Sequence, residues 1–90
     1  MMASKRNGVI YVGVTSNLVK RVFEHRECIV DGFTKKYRCK ILVWYEIFDE
    51  ITDAIQREKS LKRWLRAWKT DLIEKSNPTW KDLYFEIAHP

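Results

Sequence analysis

The chain has few cysteines and no long apolar run, and each absence excludes a class of protein. Its two cysteines, Cys28 and Cys39, form neither a CxxC motif nor a zinc-like pair, so we expect reduced thiols in a cytoplasmic protein. No apolar stretch approaches the roughly 18 residues that span a bilayer, so we expect neither a membrane span nor a signal peptide. Repeats, low-complexity segments and interdomain linkers are also absent. We therefore expect a single folded domain over residues 1–90.

The basic residues are clustered along the chain. The formal net charge is +5, and most of the excess falls in two groups. The first group is Arg57, Lys59, Lys62, Arg63, Arg66 and Lys69. The second group lies in a predicted loop around Tyr37 and consists of Lys35, Lys36, Arg38 and Lys40. Such clustering favours a polyanionic partner such as nucleic acid, although a solvated helix face would have the same composition.

Local patterns predict strands and helices in the order strand, strand, helix, strand, helix, helix. The hairpin signal Asn7-Gly8 precedes the β-branched and aromatic residues 9–14, so a partner strand should lie in Met1 to Ser4. The later elements are a helix over 18–29, a central strand over 41–48, a helix over 51–69 and a short helix that begins at Pro78. The prediction is an α/β (α+β) fold with a small three-stranded sheet flanked by helices.

Glu58 is the most informative residue, because it lies where an apolar residue is expected. The helically spaced apolar residues around it are Ile51, Ala54, Ile55, Leu61, Leu65 and Trp68. At about 100° per residue, Glu58 points into this stripe. An interior carboxylate is costly unless it is paired, hydrogen-bonded or bound to a metal. Arg21, His25, Tyr11 and a divalent cation are the candidate partners.

These residues together resemble the GIY-YIG nuclease superfamily, in particular its small single-domain bacterial members related to the incision subunit of excision repair. Tyr11-Val12-Gly13 matches the YIG-type motif with one conservative change, and Arg21 lies ten residues later. His25 follows one helical turn on. Glu58 matches the metal-binding glutamate of the family, and Asn77 in Ser76-Asn77-Pro78 matches its C-terminal polar position. The resemblance covers residues 3–87 and implies the fold described above.

The first motif of the family, GIY, has no counterpart in this chain. Its tyrosine should lie ten or eleven residues before the second motif, and counting back from Tyr11 reaches Met1 or just before it. We therefore expect a truncated first strand and poor cleavage, through either a truncated start or a catalytically weakened relative. The strand over 9–14 would then leave a sheet edge open. We expect the chain either to form a homodimer through that edge or to hold Met1 to Ser4 as a stub strand.

The resemblance implies a role for each residue, and each role has a structural alternative. Glu58 would hold one Mg²⁺ or Mn²⁺ that neutralises charge on the scissile phosphate, or would form a buried salt bridge to Arg21 or Lys62. Arg21 would bind the phosphate, or would be a surface charge. Tyr11 would position or deprotonate the attacking water, or would only pack.

Two further assignments remain open between site and structure. His25 would relay a proton or orient water, or would be a satisfied structural histidine. Asn77 is an additional site candidate, or an N-cap worth about 1 kcal/mol. We also expect Trp64, Trp68 and Trp80 to be core or interface aromatics rather than base-stacking platforms.

The first functional hypothesis is a metal-dependent DNA endonuclease that hydrolyses phosphodiester bonds, in DNA repair or processing. The alternative is a non-catalytic nucleic-acid-binding or dimerising module derived from the same fold. If the chain binds nucleic acid, with or without catalysis, the expected contacts are Lys35, Lys36, Arg57, Lys59, Lys62, Arg63 and Arg66.

Overall fold

The computed structural model describes residues 1–27 and 36–88. Its elements are β1 (Met2–Ala3), β2 (Ile10–Tyr11), α1 (Leu18–Arg26), β3 (Ile41–Leu42), α2 (Ile51–Arg63), α3 (Arg66–Ser76) and α4 (Tyr84–Ala88). The strands form an antiparallel sheet in the order β2-β1-β3. The predicted α+β fold with a three-stranded sheet is therefore confirmed. Within the described residues, no helix has the length and apolar character needed to cross a membrane.

The central strand is β1, not the strand predicted over 41–48. Met2 lies opposite both Tyr11 and Leu42, so β1 is paired along both of its edges. The strand that begins at Ile41 ends at Leu42 and lies at the edge of the sheet. Met1 to Ser4 thus supply the stub strand, and the edge of β2 that was expected to be open is paired with it. The structure gives no support to the predicted homodimer, because its premise was that open edge.

The turn between β1 and β2 follows the Asn7-Gly8 signal. The Ser4 amide donates to the Val9 carbonyl at 3.0 Å, and the Gly8 amide donates to the Lys5 carbonyl at 2.9 Å. Asn7 has a φ of 59°, a left-handed conformation that asparagine tolerates better than most residues. The predicted hairpin is confirmed.

Side chains of the sheet alternate between two faces, and helices cover both. Met1 and Ala3 belong to a core cluster on the face of α2 and α3, whereas Met2 belongs to a second cluster on the face of α1. Partly buried residues of α4 pack against this second cluster. Trp80 is buried and Trp64 packs against the first cluster, which confirms their predicted core positions. Cys39 is a buried free thiol, and Cys28 lies outside the described residues.

The single helix predicted over 51–69 is two helices. Trp64 and Leu65 adopt extended backbone, with ψ angles of 147° and 149°, between α2 and α3. No glycine or proline marks this break, so its cause is tertiary: Trp64 packs against the core. Leu65 then begins a new ladder by accepting from the Trp68 and Lys69 amides at 3.0 and 3.3 Å. Trp68 is left 53% exposed, so of the two predicted positions, core or interface, the core position is excluded and the interface position stays a prediction.

The C-terminal helix also begins later than predicted. Asn77 is the C-cap of α3 rather than the N-cap of a helix at Pro78, and α4 begins at Tyr84. The Asn77 side chain is buried: its Nδ2 donates to the carbonyls of Val43 and Lys81 at 3.0 and 2.8 Å, and its Oδ1 accepts from the Lys81 amide at 3.0 Å. These bonds hold the turn after α3 against the segment that follows β3, which is why the helix does not resume at Pro78.

Candidate active site

Tyr11, Arg21 and His25 line one small cavity of about 50 Å³ between the sheet and α1. Tyr11 is the last residue of β2, and the other two lie one turn apart on α1. Asn17 fixes the start of α1, because its side chain accepts from the Lys20 amide at 3.2 Å. The structure therefore brings together the three residues that the sequence analysis predicted to be catalytic.

Gly13 makes room for the Tyr11 ring. A Cβ at position 13 would lie 2.7 Å from Tyr11 Cε1 and 3.3 Å from both Cζ and the phenol oxygen. The glycine is therefore needed for space. The Tyr11 ring also meets His25, with ring centroids 5.5 Å apart and the planes tilted by 49°. Residues 13 and 25 therefore both restrict where the ring can lie.

His25 is buried, with 4% of its surface exposed. Its Nδ1 has no hydrogen-bond partner among the described residues, an arrangement that is uncommon for a buried polar atom and that a bound water or ligand would satisfy. Burial lowers the pKa of His25 below its ordinary value of 6.5, and the Arg21 charge lowers it further, while Glu24 acts in the opposite direction. His25 is therefore neutral at pH 7 and able to accept a proton.

Arg21 lies at the exposed side of the same cavity. Its side chain is 41% exposed, and its Nη1 is 3.7 Å from Glu24 Oε1, one turn along the helix. An exposed pair of this length contributes little to stability. The Arg21 guanidinium is therefore able to exchange Glu24 for a phosphate, which it can bind through two parallel hydrogen bonds.

Glu58 lines a second, larger cavity of about 380 Å³. The two cavities adjoin, because Met1 and four residues of the 13–18 segment line both. Glu58 Oε1 is 3.7 Å from Lys62 Nζ, and its side chain is 17% exposed. Of the protein partners considered for Glu58, Lys62 is the one that meets it, whereas Tyr11, Arg21 and His25 line the neighbouring cavity.

The apolar stripe around Glu58 is not a packed core. Leu61 is buried, but Ile51, Leu65 and Trp68 are each more than half exposed. Two features explain the difference from the prediction. The α2 face carrying Ile51, Ala54 and Leu61 borders the Glu58 cavity instead of packing flush against the sheet, and Leu65 and Trp68 lie beyond the end of α2. Glu58 therefore faces a partly open cavity.

The residues around Glu58 fit a divalent cation that is held mainly by water. No group of three His, Cys, Asp or Glu side chains that could hold a metal occurs in the described part of the chain. Mg²⁺ is commonly bound through one or two carboxylates while it keeps several waters. The Glu58 carboxylate borders a cavity of about 380 Å³, which leaves room for such a hydrated ion. GIY-YIG nucleases, which the sequence resembles, generally use a divalent metal.

Two acidic residues in the Glu58 cavity were not predicted from the sequence to be site residues. Glu46 and Asp49 both line it, and Glu46 Oε1 accepts from Arg57 Nε at 3.1 Å. The available signal was Glu46 itself, which alone interrupts the apolar run 41–48. Asp49 gave no signal, because it lies in the polar segment between two predicted elements.

Several predicted nucleic-acid contacts already have partners within the protein. The Arg57 guanidinium lies over the rings of Trp44 and Trp64, with its Cζ 6.0 and 5.3 Å from their centroids. Arg66 Nη2 donates to the carbonyls of Asn7 and Gly8 at 3.0 and 2.6 Å, which ties α3 to the hairpin turn.

The remaining predicted contacts are more exposed. Lys59 and Arg63 are exposed and form no ion pair with any described residue. Lys36 is exposed in helical backbone rather than in the predicted loop, and its Nζ lies 5.4 Å from the Tyr37 ring centroid. Lys35 lies outside the described residues.

Known proteins resemble the chain over most of its length. The GIY-YIG catalytic domain family matches residues 1–71. A UPF0213 protein of Syntrophus aciditrophicus is 37% identical over 70 residues, which are 77% of this chain and 79% of that protein. A UPF0213 protein of Staphylococcus saprophyticus is 32% identical over 68 residues, covering 76% and 83%. One of Desulfotalea psychrophila is 28% identical over 80 residues, covering 88% and 73%. No solved structure gives a significant match.

The family match and the cavities concern the same part of the chain. Every residue that lines either cavity falls within the matched residues 1–71. The chain belongs to the GIY-YIG family, and its catalytic domain implies a nuclease-type activity on nucleic acid.

Proposed function

We propose that the chain is a metal-dependent DNA endonuclease that hydrolyses phosphodiester bonds in DNA repair or processing. The observation that carries this proposal is the adjacency of the two cavities. Tyr11, Arg21 and His25 lie on one side of the 13–18 segment, and Glu58 lies on the other. A phosphate at the shared wall would meet a cation-binding carboxylate on one side and an arginine and a neutral base on the other.

Tyr11 and His25 act on the attacking water. Its oxygen forms a bond to phosphorus while the bond from phosphorus to the leaving sugar oxygen breaks. The Tyr11 phenol positions this water, and the neutral imidazole of His25 takes up the proton that the water loses. The lowered pKa of His25 keeps the imidazole unprotonated near neutral pH, which a proton acceptor requires.

Arg21 and Glu58 contribute to stabilising the negative charge on the phosphate. The Arg21 guanidinium binds a non-bridging oxygen, which gains negative charge in the transition state. The Glu58 carboxylate would hold a divalent cation, Mg²⁺ or Mn²⁺. Such a cation, when bound, neutralises charge on the phosphate and on the leaving oxygen. Lys62 would then give up its contact with Glu58, which at 3.7 Å is a weak one.

The test compares two carboxylates that line the same cavity. We expect Glu58→Gln to slow Mg²⁺- or Mn²⁺-dependent nicking of supercoiled plasmid by about 10²-fold or more, because several kcal/mol of charge stabilisation would be lost. Glu46→Gln is the matched control and should nick within a few-fold of the wild type. Both variants should keep nearly the wild-type unfolding free energy, since each removes only a partly exposed ion pair. Equal nicking rates in Glu58→Gln and the wild type would refute the assignment.

A second candidate is a nucleic-acid-binding module without catalysis. It is favoured by the position of Lys59, Arg63 and Trp68, which are exposed and line neither cavity. Binding through them would not require Tyr11 or Glu58. Wild-type chain that binds DNA but nicks it with neither Mg²⁺ nor Mn²⁺ would establish this second candidate in place of the first.

A further inference from the structure

The junction of α2 and α3 carries an exposed tryptophan on a strongly basic segment. Trp68 is 53% exposed and Leu65 is 62% exposed. Residues 59–70 contain five cations and no acid, and the cations are Lys59, Lys62, Arg63, Arg66 and Lys69. An apolar patch with this charge is complementary to a polyanion that also offers flat apolar groups. Single-stranded nucleic acid has both, because its phosphates are charged and its bases are unstacked.

Stacked groups connect this patch to the Glu58 cavity. Arg57, which lines that cavity, lies over the Trp64 ring at 5.3 Å from Cζ to centroid. Trp64 in turn meets Trp68 edge to face, with centroids 6.2 Å apart. A strand whose phosphate lay at the cavity could therefore continue onto Trp68 within a few nucleotides.

We propose that Trp68 and the cations of 59–69 bind an unpaired segment of nucleic acid, with one base stacked on the Trp68 indole. This inference rests on the proposed function, because it names the strand conformation that the nuclease recognises. It predicts a preference for unpaired or branched DNA over intact duplex, since the bases of a duplex are already stacked on one another and are not free to stack on Trp68.

The experiment measures binding by fluorescence anisotropy in EDTA, where no metal-dependent cleavage occurs. The probes are labelled oligodeoxythymidylate, a strand of equal length with abasic sites in place of the bases, and a duplex. We expect Trp68→Ala to weaken binding to oligodeoxythymidylate by about tenfold, which corresponds to about 1.4 kcal/mol. Its affinity for the abasic strand and for the duplex should stay within about twofold of the wild type, because the phosphates and cations are unchanged.

Two variants control for folding and for exposed aromatics in general. Trp68→Phe should recover most of the affinity for oligodeoxythymidylate, since it keeps a ring on which a base can stack. Phe85, on α4, is 56% exposed, and Phe85→Ala should bind all three probes like the wild type. Thermal melts of every variant show whether an affinity change reflects loss of the fold.

Three results would overturn the inference. Trp68→Ala could bind oligodeoxythymidylate as tightly as the wild type, or it could lose equal affinity for the abasic strand. Alternatively, sedimentation could show a wild-type dimer that Trp68→Ala dissociates, which would make the patch an interface between two copies. None of these results changes the comparison of Glu58→Gln with Glu46→Gln in plasmid nicking. Conversely, an inactive wild type would leave the contrast between base-bearing and abasic strands intact.

Discussion

Replacement of Gly13 by alanine should displace Tyr11 and slow DNA nicking while the fold survives. The added Cβ would lie 2.7 Å from Tyr11 Cε1, whereas nonbonded carbons pack at about 3.5–4.0 Å. The ring must therefore move by roughly 1 Å. Because the ring also meets His25 at 5.5 Å between centroids, it cannot move without changing the geometry of the cavity. A misplacement of about 1 Å at a reacting group can lower the rate about 10²-fold.

The stability of Gly13→Ala should change much less than its activity. Tyr11 is only half-buried, so its ring can turn toward solvent, and overpacking then costs about 1 kcal/mol. The stiffer unfolded chain of the alanine variant offsets part of that cost, by about 0.4–1 kcal/mol. Urea unfolding should therefore give a free energy close to that of the wild type.

A double-variant comparison separates displacement of Tyr11 from general damage. Single-turnover nicking of supercoiled plasmid is measured for Gly13→Ala, Tyr11→Phe and the double variant. If Gly13 acts only through the Tyr11 phenol, the double variant should nick no more slowly than Tyr11→Phe alone. Two losses that multiply in the double variant would show that Gly13 acts through another group. A fully active Gly13→Ala would refute the steric reasoning altogether.

Four further predictions concern the titration of His25, the pH dependence of stability, the role of Asp82 and the binding of DNA. Arg21→Gln should raise the pKa of His25 in an NMR titration, since the Arg21 charge lowers it, and Lys20→Gln should not. The pKa of His25 in the folded chain lies below 6.5, so the unfolded chain binds more protons than the folded chain as the pH falls below 6.5. The unfolding free energy should therefore decrease as the pH is lowered from 6.5, and it should decrease less in His25→Asn. Asp82→Ala should lower the urea-unfolding free energy by about 1–3 kcal/mol, since Asp82 Oδ1 accepts from the Leu42 and Tyr84 amides, both at 3.1 Å. Asp82→Asn should lower this free energy less, and equal decreases in the two variants would contradict the prediction. Neutralising three cations of the 59–69 segment should flatten the slope of log affinity against log salt on duplex DNA by about 2.7, and an unchanged slope would place the binding surface elsewhere. The three changes are Lys59→Gln, Arg63→Gln and Lys69→Gln.

Local sequence signals were sufficient for the parts of the fold that depend on local chemistry. Asn7 and Gly8 specify a turn, because few residues tolerate the left-handed backbone at Asn7 and a Cβ at position 8 would clash with Ser4 Oγ. The spacing of Arg21 and His25 places both on one edge of α1, since residues four apart are neighbours on a helix. Once the hairpin and this helix are in place, Tyr11 must lie close to both. The grouping of Tyr11, Arg21 and His25 was therefore predictable, whereas the cavity that they line was not predicted.

Features that depend on distant packing were not predictable. Nothing near Trp64 marks the end of α2, because tryptophan and leucine are acceptable in helices and the break arises from packing against the core. The helical periodicity placed Glu58 correctly relative to its neighbours on α2. It could not show that the face borders a cavity, because periodicity describes which residues share a face and not what lies opposite it. The two-residue strand β1 was also too short for its central position to be read from its pattern.

The break between α2 and α3 accounts for the separate position of the binding surface. If α2 continued as a helix through Trp64, Arg66 and Trp68 would lie further along the axis of α2. With the break, Arg66 bonds to the carbonyls of the turn that joins β1 to β2, and Trp68 remains exposed beside Trp64. The turn that Arg66 holds leads directly into the strand that ends at Tyr11. The junction therefore links the hairpin that contains Tyr11, the helix that carries Glu58 and the exposed indole. Contacts within the protein thus connect the proposed strand-binding surface to the elements that line both cavities.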